Sequence, residues 1–288
     1  MLPRPFHYLQ PETLHSALAA LGQRGDDAMP YAGGTELLLI LKMRLSEYDY
    51  LVDLKRIPEL RAIRLTQNHL VIGSMVTHGV IARDPDIHRE VPALAELCGT
   101  IANPRVRASG TIGGNLCFAE PTADPPTLLA ALDAKLYLAS VRGERCVSAG
   151  SFVKGPLETV RADDEILLRI EIPRGQQTAR YVRQLNGHRS LVGAAAFVPR
   201  QVDVRPQVWL GCVAQRPVAL PNTEAIIMGS GGVLDTDTLR KAIAADIAVL
   251  DAGDDEDVSA EYIRHVASVV IYRAAAAAAE AAGKKVGP

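Results

Sequence analysis

Leu14, Ala17, Leu18 and Leu21 recur at helical spacing within residues 11–21, and Gly22 follows, which predicts an amphipathic helix with a glycine stop. Residues 28–32 are a short apolar segment running into Gly33-Gly34, and residues 36–44 resume as a leucine-rich helix, so the order is strand, glycine turn, helix. Residues 50–54 and 70–73 read as strands, with Gln67-Asn68 marking the turn before the second. Up to Leu54 helix and strand alternate, as in a small α/β unit. Two short helices are predicted over residues 77–83 and 89–98, the second with Val91, Leu94, Ala95 and Cys98 on one face, before Asn103-Pro104 breaks the chain. Past a glycine-rich stretch, Asp124 is a good N-cap, and Pro125 and Pro126 suit the first positions of a helix over residues 127–132.

Residues 135–141 and 145–147 form a predicted hairpin turning at Arg142-Gly143, and Ile166, Leu168, Ile170 and Ile172 alternate in a strand over residues 165–173. Further strands at residues 180–185, 192–198 and 208–213 make this half antiparallel β. Residues 238–250 and 259–282 return to helix, the second aligning Ile263, Val266, Val270 and Ala274, and residues 229–232 read as a flexible joint before it. The expected domains are residues 1–54, 55–176 and 177–288.

Composition narrows the function more than the fold. The 288 residues are 48% hydrophobic and 22% charged with a formal net charge of −2, so any bound anion is held locally and no nucleic-acid partner is expected. Cys98, Cys117, Cys146 and Cys212 lack the spacing of a disulfide framework, a zinc site or an iron–sulfur site, and read as buried hydrophobes or free thiols. No apolar run resembles a signal peptide, and the longest near the N-terminus, residues 37–41, is too short to span a bilayer, so no transmembrane segment and a cytoplasmic location are expected.

The chemistry concentrates in two segments. Gly110-Thr111-Ile112-Gly113-Gly114-Asn115 packs three glycines, a hydroxyl and an amide into six residues, which suits a backbone that approaches a ligand closely and aims N–H groups at it. Ala32-Gly33-Gly34-Thr35-Glu36 repeats the theme at a strand-to-helix turn, where free amides and the helix dipole favour an anion. Neither matches the P-loop or the Rossmann fingerprint, so ATP hydrolysis and an ordinary dinucleotide fold lose weight. Two anion loops in one chain suggest a ligand with two phosphates.

These loops resemble those of the FAD-binding, or medium, subunit of the molybdenum hydroxylases, the group of carbon monoxide dehydrogenase and xanthine dehydrogenase. The likeness extends to Pro5-Phe6-His7-Tyr8, Leu51-Val52-Asp53-Leu54, Ile57-Pro58-Glu59-Leu60, Ile72-Gly73 and residues 163–168 and 262–273, essentially the whole chain. It implies an α+β chain: a two-subdomain FAD-binding fold of the PCMH/VAO type, then a small C-terminal α+β domain. It implies a division of labour too, in which a large subunit with molybdenum cofactor oxidises the substrate and a small subunit carries two [2Fe-2S] clusters. The FAD of the medium subunit then passes electrons to quinone, oxygen or NAD, the whole being a dimer of heterotrimers.

Position by position, the resemblance implies that Pro30, Tyr31, Ala32, Gly33, Gly34, Thr35, Glu36 and Leu37 line the FAD. Thr111, Gly113, Gly114 and Asn115 would hold the pyrophosphate region, and Asp124 would accept from a cofactor hydroxyl. Ile101 and Gly110 would flank the adenosine with Leu167 nearby, and Arg183 falls where relatives place a basic residue close to the flavin. Residues 186–189 depart from the common pattern. The chain lacks the cysteine-bearing insertion of relatives that reduce aromatic acyl-CoA esters, and Thr35-Glu36 leans away from carbon monoxide as substrate.

Other polar residues read more plainly. His78 could face the cofactor, but a lone histidine suits a surface or capping role, and His188 is similar. The acidic run at residues 251–257 reads as a solvated loop without calcium-loop spacing. Glu120 and Asp124 have no nucleophile or histidine tied to them, and no acid–base pair that would act on an organic substrate is evident. Two competing readings are a freestanding FAD oxidoreductase with its own small-molecule substrate, and a non-enzymatic module whose glycine segments are only turns.

Overall fold

The computed structural model describes residues 3–201, 203–250 and 258–287; the acidic run lies outside them. The first unit comprises β1 (His7–Leu9), α1 (Leu14–Arg24), β2 (Ala28–Tyr31), α2 (Leu37–Met43) and β3 (Tyr50–Asp53), its strands forming a parallel sheet in the order β1-β3-β2. The helix α1 runs past Gly22, because the turn that ends it is made at Gly25, whose φ of 55° suits glycine and whose N–H reaches the Leu21 carbonyl.

The second unit is built on an antiparallel sheet. It contains β4 (Ile63–Leu65), β5 (His69–Gly73), α3 (His78–Ile81), α4 (Pro85–Glu90), α5 (Pro92–Thr100), α6 (Pro104–Ser109), α7 (Ile112–Phe118), α8 (Asp124–Ala131), β6 (Lys135–Ser140), β7 (Gly143–Ser148), β8 (Val153–Gly155), β9 (Glu158–Thr159) and β10 (Ile166–Pro173). Five strands pair as β4-β5-β10-β6-β7, and six helices leave this unit between β5 and β6. Three local expectations change here. Asn103-Pro104 starts a helix rather than ending order, since the Asn103 side chain accepts from the N–H groups of Arg105 and Val106. The predicted helix over residues 89–98 is two helices divided at Val91-Pro92. Asp124 is the first residue of α8, with Ala123 at the N-cap and no side-chain cap.

The third unit comprises β11 (Arg180–Asn186), β12 (Arg189–Phe197), β13 (Gln207–Gly211), β14 (Val218–Ala219), α9 (Pro221–Gly229), β15 (Val233–Asp235), α10 (Thr236–Ala248), α11 (Ala260–Ala281) and β16 (Lys285–Gly287). Along β12 alternate residues sort into two cores: Ala195 and Phe197 join that of the second unit, and Ala194 and Ala196 join that built on α10 and α11. Residues 229–232 are a tied turn rather than a joint, because β15 pairs in parallel with β16 and Lys285 N–H donates to the Gly232 carbonyl. No helix among the described residues is long and apolar enough to cross a membrane.

The helix α9 has Leu220 at its N-cap and no cap of its own. The buried Asp246 carboxylate of α10 supplies one, accepting from Asn222 N (3.1 Å) and Nδ2 (2.8 Å) and from Thr223 N (2.8 Å) and Oγ1 (2.7 Å). Asp246→Ala strands buried donors and should cost about 2–4 kcal/mol of unfolding free energy, read from urea denaturation.

Candidate functional site

The two glycine segments meet backbone to backbone. A Cβ on Gly33 would lie 2.1 Å from the Ser109 carbonyl oxygen and 2.9 Å from Gly110 Cα, so only glycine lets the first segment sit against the second. The first segment leaves its donors open: no protein group among the described residues accepts from the N–H of Gly33, Gly34, Thr35 or Glu36. Gly34 takes φ 72°, and Tyr31 fills the space a side chain there would need.

The second segment is the start of α7 rather than an open loop. Thr111 caps it, its Oγ1 accepting from Gly114 N at 3.0 Å, while Ile112 N donates to the Val76 carbonyl and Gly113 N to the Ser74 carbonyl. Those amides are spent on protein. The glycines therefore serve close packing, for a Cβ on Gly113 would meet the Ser74 backbone oxygen at 2.7 Å, and one on Gly114 would meet Thr111 Oγ1 at 2.9 Å.

Between the segments opens a cavity of about 600 Å³. Fourteen of the seventeen residues singled out from sequence line it: Pro30, Ala32, Gly33, Gly34, Thr35, Glu36, Leu37, Ile101, Gly110, Thr111, Gly113, Gly114, Asn115 and Leu167. Tyr31, Asp124 and Arg183 do not. The Tyr31 ring faces away, edge-on to Tyr8 and under the Lys55 ammonium. Asp124 is 5% exposed; its carboxylate accepts from Tyr181 Oη at 2.7 Å and is paired with Arg183, whose Nη2 also donates to the Thr100 carbonyl at 3.1 Å. Burial pushes the Tyr181 hydroxyl and the nearby Cys212 thiol well up, so both stay protonated. These contacts fasten β11 to the start of α8 and the end of α5.

Asn115, singled out from sequence, shares the wall with Ser74 and Arg161, which sequence reasoning passed over. Ser74 Oγ and Asn115 Oδ1 are buried without a hydrogen-bond partner, and both line the cavity. Arg161 lines it too, with Nη1 donating to the carbonyls of Ala162, Asp163 and Glu165. His78 is a wall residue only 2% exposed, so the surface role expected of it does not hold. A polar residue directly after the strand end Ile72-Gly73 was the available signal for Ser74; nothing local marks Arg161.

Free amides, orphaned polar atoms and apolar walls suit a large ligand carrying phosphate and polar ring edges. Residues 4–175 match the family described as the FAD binding domain in molybdopterin dehydrogenase. The chain belongs to this family and binds FAD. It is 30% identical to the carbon monoxide dehydrogenase medium chain of Hydrogenophaga pseudoflava, over 96% of this chain and 98% of that one. It is 31% identical to caffeine dehydrogenase subunit beta of Pseudomonas sp. (strain CBB1), over 97% of each. The fold superposes on a chain of carbon monoxide dehydrogenase from Hydrogenophaga pseudoflava with TM-score 0.91 and 31% identity, covering 98% of this chain and 99% of that one.

Two outcomes follow from this geometry. Gly33→Ala and Gly113→Ala should purify folded but depleted in flavin, whereas Gly232→Ala, with open space around its Cβ, should keep a full complement; the flavin-to-protein ratio decides. Burial lowers His78 from its ordinary 6.5 to about 4, so the unfolded chain takes up the proton first. Stability of the cofactor-free protein is then complete above about pH 6.5 and falls by up to about 3 kcal/mol as pH drops to about 4, a loss that urea titrations of His78→Gln should lack.

Proposed function

We propose that the chain is the electron-transfer flavoprotein of a three-component molybdenum hydroxylase in the cytoplasm, assembled as a dimer of heterotrimers. A small subunit with [2Fe-2S] clusters delivers electrons to the FAD of this chain, a large subunit with molybdenum cofactor oxidises the organic substrate, and quinone, oxygen or NAD is the terminal acceptor. The observation that carries the reading is the row of open amides at Gly33 to Glu36 and the unpaired Ser74 and Asn115 oxygens lining one cavity, in a chain alike to its relatives over nearly its full length.

In this reading the Gly33–Glu36 amides hold an anionic oxygen of FAD, Asn115 and Ser74 supply polar contacts, and Ile101 and Leu167 exclude water. The bound flavin supplies reversible acceptance and release of electrons. The chain itself needs no acid–base pair, because proton chemistry at the substrate belongs to another polypeptide. We further propose residues 1–54, 55–176 and 177–288 as its units. Relatives named for carbon monoxide and for caffeine stand at nearly equal identity, so the likeness leaves the substrate open.

Purification of the tagged chain from its own cells tests the proposal. Two further polypeptides bearing iron and molybdenum should accompany it, and substrate added without oxygen should bleach the flavin only in that assembly. Oxidation of an organic substrate by the isolated, metal-free chain would overturn it.

A further inference from the structure

Beneath the junction of the two glycine segments lies a buried pair that electron transfer, as described, does not use. His78 opens α3, its backbone N–H donating to the Gly110 carbonyl at 3.0 Å, and Thr77 forms an isolated bridge to Thr111. The imidazole is thereby fixed to the second segment. The point where a Gly110 Cβ would lie is 3.3 Å from His78 Cδ2 and 3.5 Å from Thr35 Oγ1, so the ring stands where both segments converge.

Its two nitrogens have different surroundings. Nδ1 lies 3.7 Å from Sγ of Cys98, a fully buried thiol on α5. No protein group among the described residues pairs with Nε2, although His78 lines the cavity. Burial keeps the imidazole unprotonated and raises the thiol, so one neutral partner donates and the other accepts. An imidazole nitrogen accepts far better than a thiol sulfur does, which directs S–H toward Nδ1 and leaves the ring proton on Nε2.

We propose that His78 is a fixed Nε2–H donor to an oxygen of bound FAD, and that Cys98 is the positioning residue that sets its tautomer. The arrangement adds a side-chain donor to the open amides of the first segment, and it does so without a charge that would have to be desolvated. The inference rests on FAD occupying the cavity.

Titration of the cofactor-free, full-length chain with FAD, followed by flavin fluorescence, tests it together with nitrogen-15 NMR of the histidine-labelled protein. His78→Phe should weaken FAD binding about tenfold or more. His78→Gln, whose amide N–H can take the place of Nε2–H, should recover most of the loss, and Cys98→Ser should bind like the wild type. The spectrum should show the Nε2–H tautomer in the wild type and lose that preference in Cys98→Ala. A folded His78→Phe protein with wild-type affinity, or an Nδ1–H tautomer in the wild type, would overturn the proposal. If His78→Phe does not fold, His78→Gln and the tautomer decide. A wild-type chain that takes up no FAD would instead sink the cofactor assignment, so the two failures are distinguishable.

Discussion

The structure depends on two stretches of backbone touching with no side chain between them. Gly33 rests on the carbonyl of Ser109, and Gly113 rests on the backbone of Ser74. Because the second segment is held by Val76, Ser74 and the bridge to Thr77, it forms a rigid wall, and the first can keep its own amides unpaired. Open amides at a turn are costly unless water or a ligand takes them. The cavity therefore divides its labour: one glycine segment is structural support, and the other is the donor surface.

That division was only half legible in the sequence. Both segments stood out by composition, and most of the residues they nominated line one cavity. Their equivalence was an error of local reasoning. Gly110 to Asn115 looks like a loop because glycine is a poor helix former, yet Thr111 at the N-cap and packing around Ile112 and Leu116 make it the first turns of a helix. Tertiary contact overrode propensity. The same holds at residues 229–232, where a glycine run that looks flexible is pinned by a strand more than fifty residues further on.

Long-range polar contacts were the least readable part. Arg183 and Asp124 attracted notice separately as cofactor residues, and nothing local says that they meet each other. Their meeting depends on two glycines paired across β12 and β13. At Gly193 the missing side chain leaves room for the Tyr181 hydroxyl, and at Gly211 for Thr127, which lets the start of α8 sit against the sheet. A side chain at Gly211 would push α8 away, and one at Gly193 would displace the Tyr181 hydroxyl, so either would part the carboxylate from a partner. The ion pair thus reports on sheet packing, and three neighbouring groups contact its buried carboxylate.

The first unit is too small to hold its glycine turn in place alone. Its core joins Leu21, Val52 and Leu54 to Ile57, Met75, Ala139, Ile166 and Leu168, which come from the second unit. Three strands of a few residues each form a marginal sheet unless something packs against them. Here the second unit provides that packing and, through Ser109, the surface on which the glycine turn rests. The donor row therefore acquires its geometry only when both units are folded and docked, and a ligand gripped from both sides stabilises that docking in turn. The cavity and the interface between the units are one structural feature, so substitutions far from the cavity but within this shared core reach its walls by loosening the contact between the two backbones.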